Sequence, residues 1–311
     1  MVSKLNDTGE RLIPEKHHRS LAYGEHMSRY RSVMNIVKNK VVLDIASGTG
    51  YGTYMMAQDA KKVIGVDISQ DAIDYSIEHY SSKNIEYKCG GAYKIPVQDN
   101  SIDIEVSLET IEHLDKPEIF VKEVKRVLRK DGLFVVSTPN DDQFVEGNEF
   151  HVHQFQLPEL KKLTVKYFKN IKYYYQLSYY ATALMDEKNL VSDKAKINQV
   201  TKSFTQNKKD SIYYVAVCSD EDISDVNLLN NCYLPDSFSE KSGLELSKNI
   251  EDRISQLDRT ILQQNSAIKD LSKEKEKLLK IIEEKEKLLN DILGSRRYKI
   301  ANSIANIKNK L

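Results

Sequence analysis

Residues 41–67 constrain the fold more than any other part of the sequence. They begin with an apolar run at 41–45, break into a turn that contains Gly48 and Gly50, and continue through a helical segment to a second apolar run ending at Asp67. A strand, a glycine turn, a helix and a second strand ending in an acid form half of a nucleotide-binding α/β sheet. Glycine lets the backbone approach a ligand where a Cβ atom would collide. Asp67 can accept hydrogen bonds from both hydroxyls of a ribose, so the pattern predicts an adenosine-containing cofactor.

The spacing of the glycines narrows the choice of cofactor. Dinucleotide sites use G-x-G-x-x-G, which brings a helix N-terminus against the pyrophosphate. Here Gly48, Gly50 and Gly52 are spaced by two, and Asp44 lies four residues before the first of them. A carboxylate at that place would repel a pyrophosphate, whereas it suits a ligand that carries an ammonium group. A turn that serves only chain reversal is disfavoured by the coincidence of these signals.

Asp44, Gly48 and Gly50 form the pattern D-x-x-x-G-x-G. With Asp67 and later segments, this pattern makes the chain resemble the class I S-adenosylmethionine-dependent methyltransferases over roughly residues 5–220. The resemblance implies S-adenosylmethionine as the cofactor and a Rossmann-like fold. The residues expected to bind the cofactor are Asp44, Ala46, Gly48, Gly50, Asp67, Ile68, Ala92 and Arg29.

The sequence departs from the family pattern at two places. The family often has glycine where Ala46 stands, which predicts a slightly wider turn here. After the third strand the family usually has an acid that contacts the adenine amino group, but Gly90, Gly91 and Ala92 stand there in this chain. Adenine is therefore expected to depend on backbone groups near Ala92 and on apolar packing. Either the affinity for the cofactor is weaker than usual in the family, or Tyr93 compensates for the missing acid.

Composition bounds the class of protein. The chain has 311 residues, 30% of them charged, with a formal net charge of zero. No apolar run approaches the length that spans a bilayer, and the N-terminus lacks the apolar core of a signal peptide. The three cysteines, Cys89, Cys218 and Cys232, are scattered and are interpreted as packing residues of a protein in the reducing cytoplasm. The neutral charge argues against general nucleic-acid binding, although a local basic patch stays open.

Up to about residue 220, strand-like apolar runs alternate with amphipathic stretches. The pattern predicts helices at 70–80, 117–128 and 158–167 and seven strands, at 41–45, 62–67, 85–89, 102–108, 133–137, 171–177 and 212–218. Such alternation favours a mainly parallel sheet with helices on both faces. The polar stretch 186–210 is interpreted as a surface insertion. The family resemblance implies that the seventh strand lies antiparallel between the fifth and the sixth.

The composition changes after the sheet. We divide the chain into an N-terminal cap segment, a cofactor-binding domain, a linker, a coiled coil and a basic amphipathic tail, at residues 1–40, 41–220, 221–248, 249–293 and 294–311. The heptad seam of the coiled coil runs for about six repeats. Its members are Ile250, Ile254, Leu257, Ile261, Gln264, Ile268, Leu271, Lys275, Leu278, Ile282, Lys285, Leu289 and Ile292.

This seam predicts a homo-oligomer, because a lone helix would leave its apolar stripe in water. The alternative is a single solvated helix stabilised by Glu–Lys pairs. Polar seam residues leave the number of strands open. The tail that follows has five basic residues and no acid, with Ile300, Ile304, Ile307 and Leu311 on one helical face. It is a candidate for contact with the inner face of the cell membrane; a solubilising tail or a partner-binding helix is the alternative.

Methyl transfer is an in-line displacement, so an enzyme must hold donor and acceptor close and exclude water. A hydroxyl acceptor also benefits from a general base. The fourth strand runs into Glu109, Glu112 and His113, at the place where the family has an acidic and histidine segment beside the cofactor. Glu109 is the stronger candidate for the site, while His113 is either a base or a helix cap.

A histidine pair follows the fifth strand. The segment 150–155 contains His151 and His153, and it resembles the acceptor loop of methyltransferases from bacterial polysaccharide clusters. Two histidines two apart share a face if the segment is extended, which makes a metal site conceivable, but the sequence shows no third ligand. We therefore predict no metal, and a role for one histidine as general base or acceptor anchor. A loop histidine satisfied by backbone groups is the alternative.

The N-terminal segment 8–15, followed by His26, Arg29 and Tyr30, also resembles that polysaccharide-associated group, where it forms a helical cover over the cofactor. Arg29 is expected to pair with the methionine carboxylate and Tyr30 to pack on the ligand, although surface roles explain both equally well. The resemblance thus predicts O-methylation of a carbohydrate or glycan-phosphate acceptor. The alternatives are a quinone, lipid or other small-molecule acceptor, or a coiled-coil scaffold whose cofactor domain is vestigial.

Overall fold

The structure is a computed structural model of the chain. It describes residues 11–17, 20–143, 151–153, 155–178, 186, 188, 207–232 and 240–308. The chain divides into two compact units, Met1–Ser237 and Phe238–Leu311. The first unit contains a sheet with its covering helices, and the second contains two helices.

One sheet organises the first unit. Its strands are β1 Val41–Ile45, β2 Lys62–Asp67, β3 Ile85–Cys89, β4 Ile102–Leu108, β5 Leu128–Pro139, β6 Asn170–Gln176 and β7 Tyr213–Ser219. Their order is β3-β2-β1-β4-β5-β7-β6. Neighbours pair in parallel except β7, which is antiparallel to both β5 and β6. The predicted mainly parallel sheet, with its last strand between the fifth and the sixth, is therefore confirmed.

Short helices precede and connect the strands of the first unit. They are α1 Pro14–His17, α2 Leu21–Val33, α3 Tyr51–Met56, α4 Gln70–His79, α5 Pro117–Val127 and α6 Leu157–Tyr167, with 3₁₀ helices at Ile111–His113, Asp141–Gln143 and Lys208–Asp210. The side chain of Ser69 caps α4 by accepting the N–H of Ala72. In the second unit, α7 spans Glu240–Gly294 and α8 spans Arg296–Lys308.

Helices cover both faces of the sheet because successive strand residues point to opposite sides. Leu43 of β1 belongs to a buried cluster that includes Phe120 of α5 and Leu160 of α6. The opposite face packs Val33 of α2 and Met56 of α3. The core thus fixes the ends of the central strands, where ligands bind in open α/β sheets.

The bounds predicted for the linker, 221–248, differ from the structure at both ends. Residues 221–232 pack on the first unit, where Ile223 and Leu228 are buried and the N–H of Leu229 donates to the carbonyl of Ser32 at 2.9 Å. At the other end, α7 begins at Glu240, before the heptad seam starts. Good helix formers such as glutamate, lysine and leucine at 240–249 extend the helix without contributing to the seam.

Other predictions meet the structure only in part. Cys218 is buried as expected of a packing residue, whereas Cys89 and Cys232 are exposed. Most of the insertion 186–210, residues 8–10 and the loop residues 150 and 154 lie outside the described residues. Within the described part of the chain, no helix combines the length and apolar character required to cross a bilayer.

Candidate active site

The carboxyl ends of β1, β2 and β4 meet at one edge of the sheet. Ile45 of β1 is in register with Val66 of β2 and with Ser107 of β4. The glycine turn, Asp67 and Glu109 follow these residues directly along their strands. This register brings together the donor-side and acceptor-side segments that the sequence placed after separate strands.

The glycine turn after β1 is left-handed at three positions. Ala46, Gly48 and Gly50 have φ angles of 58°, 54° and 85°. A Cβ atom on Gly48 would have no protein atom within 4 Å, whereas one on Gly50 would lie 2.6 Å from Oγ of Ser76. Gly50 is therefore required by packing, while Gly48 borders open space that a ligand can occupy. Ala46, where the family pattern often has glycine, is left-handed at a steric cost.

Asp67 connects the glycine turn to the end of β2 by hydrogen bonds. Its Oδ2 accepts the N–H of Gly48 and its Oδ1 accepts the N–H of Ser69, both at 2.9 Å. Each carboxylate oxygen has a second lone pair that can accept a ribose hydroxyl. The guanidinium of Arg11 lies 3.6 Å from Oδ1. The sequence reasoning did not single out Arg11, and only its place in the N-terminal segment could have indicated it.

The residues expected near adenine lie beside Asp67. Ile68 is 78% exposed, and a Cβ atom on Gly91 would lie 3.9 Å from its Cδ1. Ala92 is partly buried against the core. The hydroxyl of Tyr93 is hydrogen-bonded to Asp115, so it is not directed to adenine as compensation for the missing acid. An exposed apolar side chain next to a backbone turn suits a flat aromatic ring, and the site therefore fits the adenosine of the predicted cofactor.

Asp44 has a different place from the one expected. It is fully buried, and its carboxylate accepts the hydroxyls of Thr53 at 2.5 Å and Tyr30 at 3.4 Å. Burial raises the pKa of Asp44 to about 7. The expectation that this carboxylate faces a ligand's ammonium group is corrected, because protein hydroxyls enclose it beneath the turn.

The predicted ligand contacts of α2 are also corrected. The guanidinium of Arg29 is buried, forms an ion pair with Glu109 and donates to Oε1 of Gln176 at 2.7 Å. The guanidinium of Arg29 thus binds protein groups, and it is not placed to bind the carboxylate of the cofactor. Tyr30 is buried against α3, where a Cβ atom on Gly52 would lie 2.0 Å from its Cζ. Gly52 therefore serves close helix packing.

His26 lies between Tyr51 of α3 and Glu109. Nδ1 of His26 lies 2.7 Å from the hydroxyl of Tyr51, and Nε2 lies 3.2 Å from Oε1 of Glu109. Burial, together with the charge of Arg29, holds the pKa of His26 well below its usual range. The imidazole is therefore neutral, and it lies between the hydroxyl of Tyr51 and the carboxylate of Glu109. The sequence reasoning named His26 but missed this role.

The acceptor-side histidines have different neighbours. The rings of His113 and His151 lie 5.2 Å apart in an edge-to-face arrangement, and both are close to the carboxylate of Glu112. His153 donates its backbone N–H to the carbonyl of Glu112 at 3.0 Å, while its ring lies 4.3 Å from that of Phe155. The sequence showed no third ligand for the histidine pair, and the structure places Glu112 and His113 beside His151. The pair 151 and 153 does not act as one unit; His151 groups with His113.

The sheet order, the left-handed glycine turn and Asp67 at the end of β2 agree with the arrangement expected of class I S-adenosylmethionine-dependent methyltransferases. Comparison with known proteins agrees, since residues 43–136 match the family described as "Methyltransferase domain". This part of the chain thus resembles a methyltransferase domain, and the match implies S-adenosylmethionine as the methyl donor.

Two relatives from mycobacteria match about half of the chain, and both are described as "Probable S-adenosylmethionine-dependent methyltransferase". The protein of Mycolicibacterium smegmatis is 34% identical over 52% of this chain and 65% of its own length. The protein of Mycobacterium tuberculosis is 33% identical over 51% of this chain and 59% of its own length. The chain thus spans less than two thirds of each relative. A methyltransferase of Thermotoga maritima with a solved structure is 21% identical, covers 68% of this chain and 97% of its own, and has a TM-score of 0.49.

Proposed function

We propose that the chain is a methyltransferase that O-methylates a carbohydrate or glycan-phosphate acceptor in the synthesis of cell-surface polysaccharide. The observation that carries the proposal is the position of a polar cluster beside the donor turn. Glu109, Glu112 and His113 follow β4, which is paired with β1, and His151 from the segment after β5 lies beside Glu112 and His113. Imidazoles and carboxylates at this edge suit an acceptor that is rich in hydroxyl groups.

The residues of the chain have separate tasks in this reaction. S-Adenosylmethionine supplies a methyl group that its positively charged sulfur already activates. Asp67 and the turn at Gly48 hold the ribose and the adjacent part of the donor, which fixes the methyl group relative to the acceptor. Glu109 is 23% exposed at its side chain and is oriented by Arg29, so it can anchor an acceptor hydroxyl. A histidine beyond β4 or β5 accepts the proton that this hydroxyl loses.

The names of other relatives support oxygen as the accepting atom. A "Ubiquinone biosynthesis O-methyltransferase" of Bartonella tribocorum is 29% identical over 43% of this chain and 55% of its own length. A "Malonyl-[acyl-carrier protein] O-methyltransferase" of Marinomonas is also 29% identical, over 42% of this chain. These names favour, as the second candidate, a quinone or other small-molecule acceptor. A scaffold with a vestigial cofactor domain is disfavoured by the open donor turn and by Asp67.

Mass spectrometry of extracted cell-surface glycans tests the acceptor. Glycans from cells with the protein should carry methyl ethers that are absent from cells without it. Cells with the Asp67→Ala variant should resemble cells without the protein, because donor binding is lost. Methylated quinones or other small molecules in place of glycans would establish the second candidate. Absence of donor binding by the purified chain would contradict both.

We also propose that α7 associates with copies of itself through the heptad seam. Within the described chain its apolar seam residues are exposed: Leu278, Ile282 and Leu289 are 54%, 51% and 55% accessible. Burial of such a stripe between helices removes apolar surface from water. Leu289→Lys should dissociate the oligomer in light scattering of the full chain, whereas Asn290→Lys, one residue outside the seam, should not. An unchanged mass for Leu289→Lys would refute association through the seam.

We propose that the basic tail, which forms α8, contacts the surface of the membrane. α8 exposes Ile300 and Ile304, at 60% and 56%, and begins with two arginines. Apolar groups beside basic groups favour contact with anionic lipid, which suits a cytoplasmic enzyme peripheral to the inner face of the membrane. The full chain should sediment with anionic vesicles and not with neutral ones, and Ile304→Asp should reduce this binding. Equal sedimentation of Ile304→Asp would contradict the proposal.

A further inference from the structure

Three side chains of metal-ligand type meet beyond the end of β4. One carboxylate oxygen of Glu112 and one ring nitrogen each of His113 and His151 all lie within 4.8 Å of one another. Glu112 and His113 belong to the same 3₁₀ helix, while His151 comes from the segment after β5. The fold therefore assembles ligands that are far apart in the sequence.

Backbone hydrogen bonds and buried neighbours hold these ligands in place. The N–H of His113 donates to the carbonyl of Thr110 at 3.0 Å, which closes the 3₁₀ turn. The N–H of His153 donates to the carbonyl of Glu112 at 3.0 Å, which ties the segment of His151 to that turn. Ile111, just before Glu112, and Phe155, shortly after His151, are both buried. The cluster is thus built into the fold by both segments that supply it.

The chemistry of these three ligands favours a transition metal. Two imidazoles with one carboxylate form the set that iron(II) and zinc use in many enzymes, and manganese(II) and cobalt(II) accept the same ligands. Glu112 is only 1% exposed, and a buried carboxylate is stabilised by a cation beside it. Magnesium and calcium prefer sets made of oxygen alone, so the two imidazoles disfavour them. Three protein ligands leave coordination positions open for other molecules.

We propose that Glu112, His113 and His151 bind a divalent transition-metal ion whose open positions hold two neighbouring oxygens of the acceptor. This inference rests on the proposed function, and it narrows the acceptor to a molecule with adjacent hydroxyl groups or a hydroxyl beside a phosphate. The ion sits beyond β4, next to the strand that carries the donor turn. Coordination fixes an acceptor oxygen and lowers the pKa of its hydroxyl. His113 and His151 are then ligands, which leaves His153 as the histidine able to accept the proton.

Cobalt(II) provides a direct probe of the site in the full-length chain. The protein is first freed of metal with a chelator and then titrated with Co²⁺, with neither donor nor acceptor present, while the visible absorption of the ion is recorded. One ion per chain should bind with an absorption typical of mixed nitrogen and oxygen ligands. His151→Ala and Glu112→Gln should weaken binding by more than about 100-fold, because even the outer partners of metal ligands contribute about 10–100-fold.

His79→Ala is the matched control, because His79 stacks on Tyr75 at the end of α4 and has no place in the cluster. Its Co²⁺ affinity should equal that of the unmodified chain. Thermal unfolding of each variant shows whether the fold is retained; His151→Gln, with a side chain of similar size, replaces any variant that unfolds. Absence of one-to-one binding, or equal affinity in the cluster variants, would overturn the metal site.

The reaction separates this inference from the proposed function. Methyl transfer to a glycan should stop in the metal-free chain and return with added Mn²⁺ or Fe²⁺. Transfer at an unchanged rate without metal would overturn the inference and leave the proposed function intact. Stoichiometric Co²⁺ binding that depends on His151, with no transfer to any glycan, would keep the site and contradict the glycan acceptor.

Discussion

Arg29 and Glu109 form an ion pair that joins α2 to the end of β4. The side chain of Arg29 is 2% exposed, and its guanidinium lies 4.1 Å above the ring of Tyr213. Glu109 has a φ angle of 53°, a left-handed conformation that costs a residue other than glycine about 1–2 kcal/mol. The ion pair offsets that strain and holds the carboxylate at the mouth of the site.

A double-mutant cycle measures this relationship. Arg29→Met should lower the free energy of unfolding by about 3 kcal/mol, because it leaves the Glu109 carboxylate without its cationic partner. The double variant Arg29→Met with Glu109→Gln should lose clearly less than the sum of the single losses. Urea unfolding provides the values. Additive losses would mean that the two residues stabilise the fold independently.

Donor affinity should depend on Asp67. Asp67→Ala removes the acceptor of two charge-assisted hydrogen bonds, so the dissociation constant for S-adenosylmethionine should rise at least about 100-fold in calorimetry. Asp71→Ala, at an exposed position in the first turn of α4, is the control and should bind normally. Thermal unfolding of Asp67→Ala must be measured as well, since its carboxylate also holds the N–H of Gly48. A folded Asp67→Ala variant with normal affinity would show that the ribose lies elsewhere.

Glu105 should destabilise the fold above its usual pKa. It is fully buried on β4, and neither carboxylate oxygen has a hydrogen-bond partner among the described residues. Burial raises its pKa well above 4.5. The folded chain therefore holds this proton more tightly than the unfolded chain, and the resulting stability is present below about pH 4.5 and is lost as the pH rises.

Glu105→Leu should consequently raise the free energy of unfolding by about 1–3 kcal/mol, with a larger gain at pH 8 than at pH 5. Leucine suits the position, because its partners in register are Leu43 and Phe134. Glu86→Leu is the control: that carboxylate is 41% exposed and paired with Lys62, so no gain is expected. A gain for Glu105→Leu that did not change with pH would contradict the titration argument.

The left-handed turn residue Ala46 offers a smaller gain. Ala46→Gly relieves a cost of about 1–2 kcal/mol at a φ angle of 58°, while the added freedom of the unfolded chain takes back about 0.4–1 kcal/mol. The variant should be more stable by roughly 0.5–1 kcal/mol in urea unfolding. Ala57→Gly, at a φ angle of −65°, carries the same change without strain to relieve and should lose stability. Loss in both variants would show that Ala46 is unstrained.

The sequence was informative where the signal is local. Apolar runs located the strands, and the turn from Asp44 to Gly50 with Asp67 indicated the candidate donor site, because both depend on neighbouring residues. The position of β7 came from family resemblance and could not come from periodicity, since strand order is a property of the whole sheet. Ala46 shows the limit of residue type: its left-handed angle follows from the turn and not from any preference of alanine.

Contacts between distant segments could not be predicted. The pairing of Arg29 with Glu109, the enclosure of Asp44 by Tyr30, and the meeting of His151 with Glu112 all depend on how helices and loops pack on the sheet. The sequence analysis named each of these residues, but it did not predict which of them would be in contact. The beginning of α7 was missed because the heptad pattern marks a seam, whereas helix propensity sets where a helix starts.

Gly48 gives the most direct test of the central claim that the glycine turn receives the methyl donor. A Cβ atom there would meet no protein atom within 4 Å, so Gly48→Ala should fold with only the cost of its left-handed backbone. The account predicts that calorimetry will show S-adenosylmethionine binding at least about tenfold more weakly to Gly48→Ala, and unchanged in the control Gly294→Ala, whose Cβ atom also meets nothing within 4 Å. A folded Gly48→Ala variant that binds the donor as tightly as the unmodified chain would contradict it.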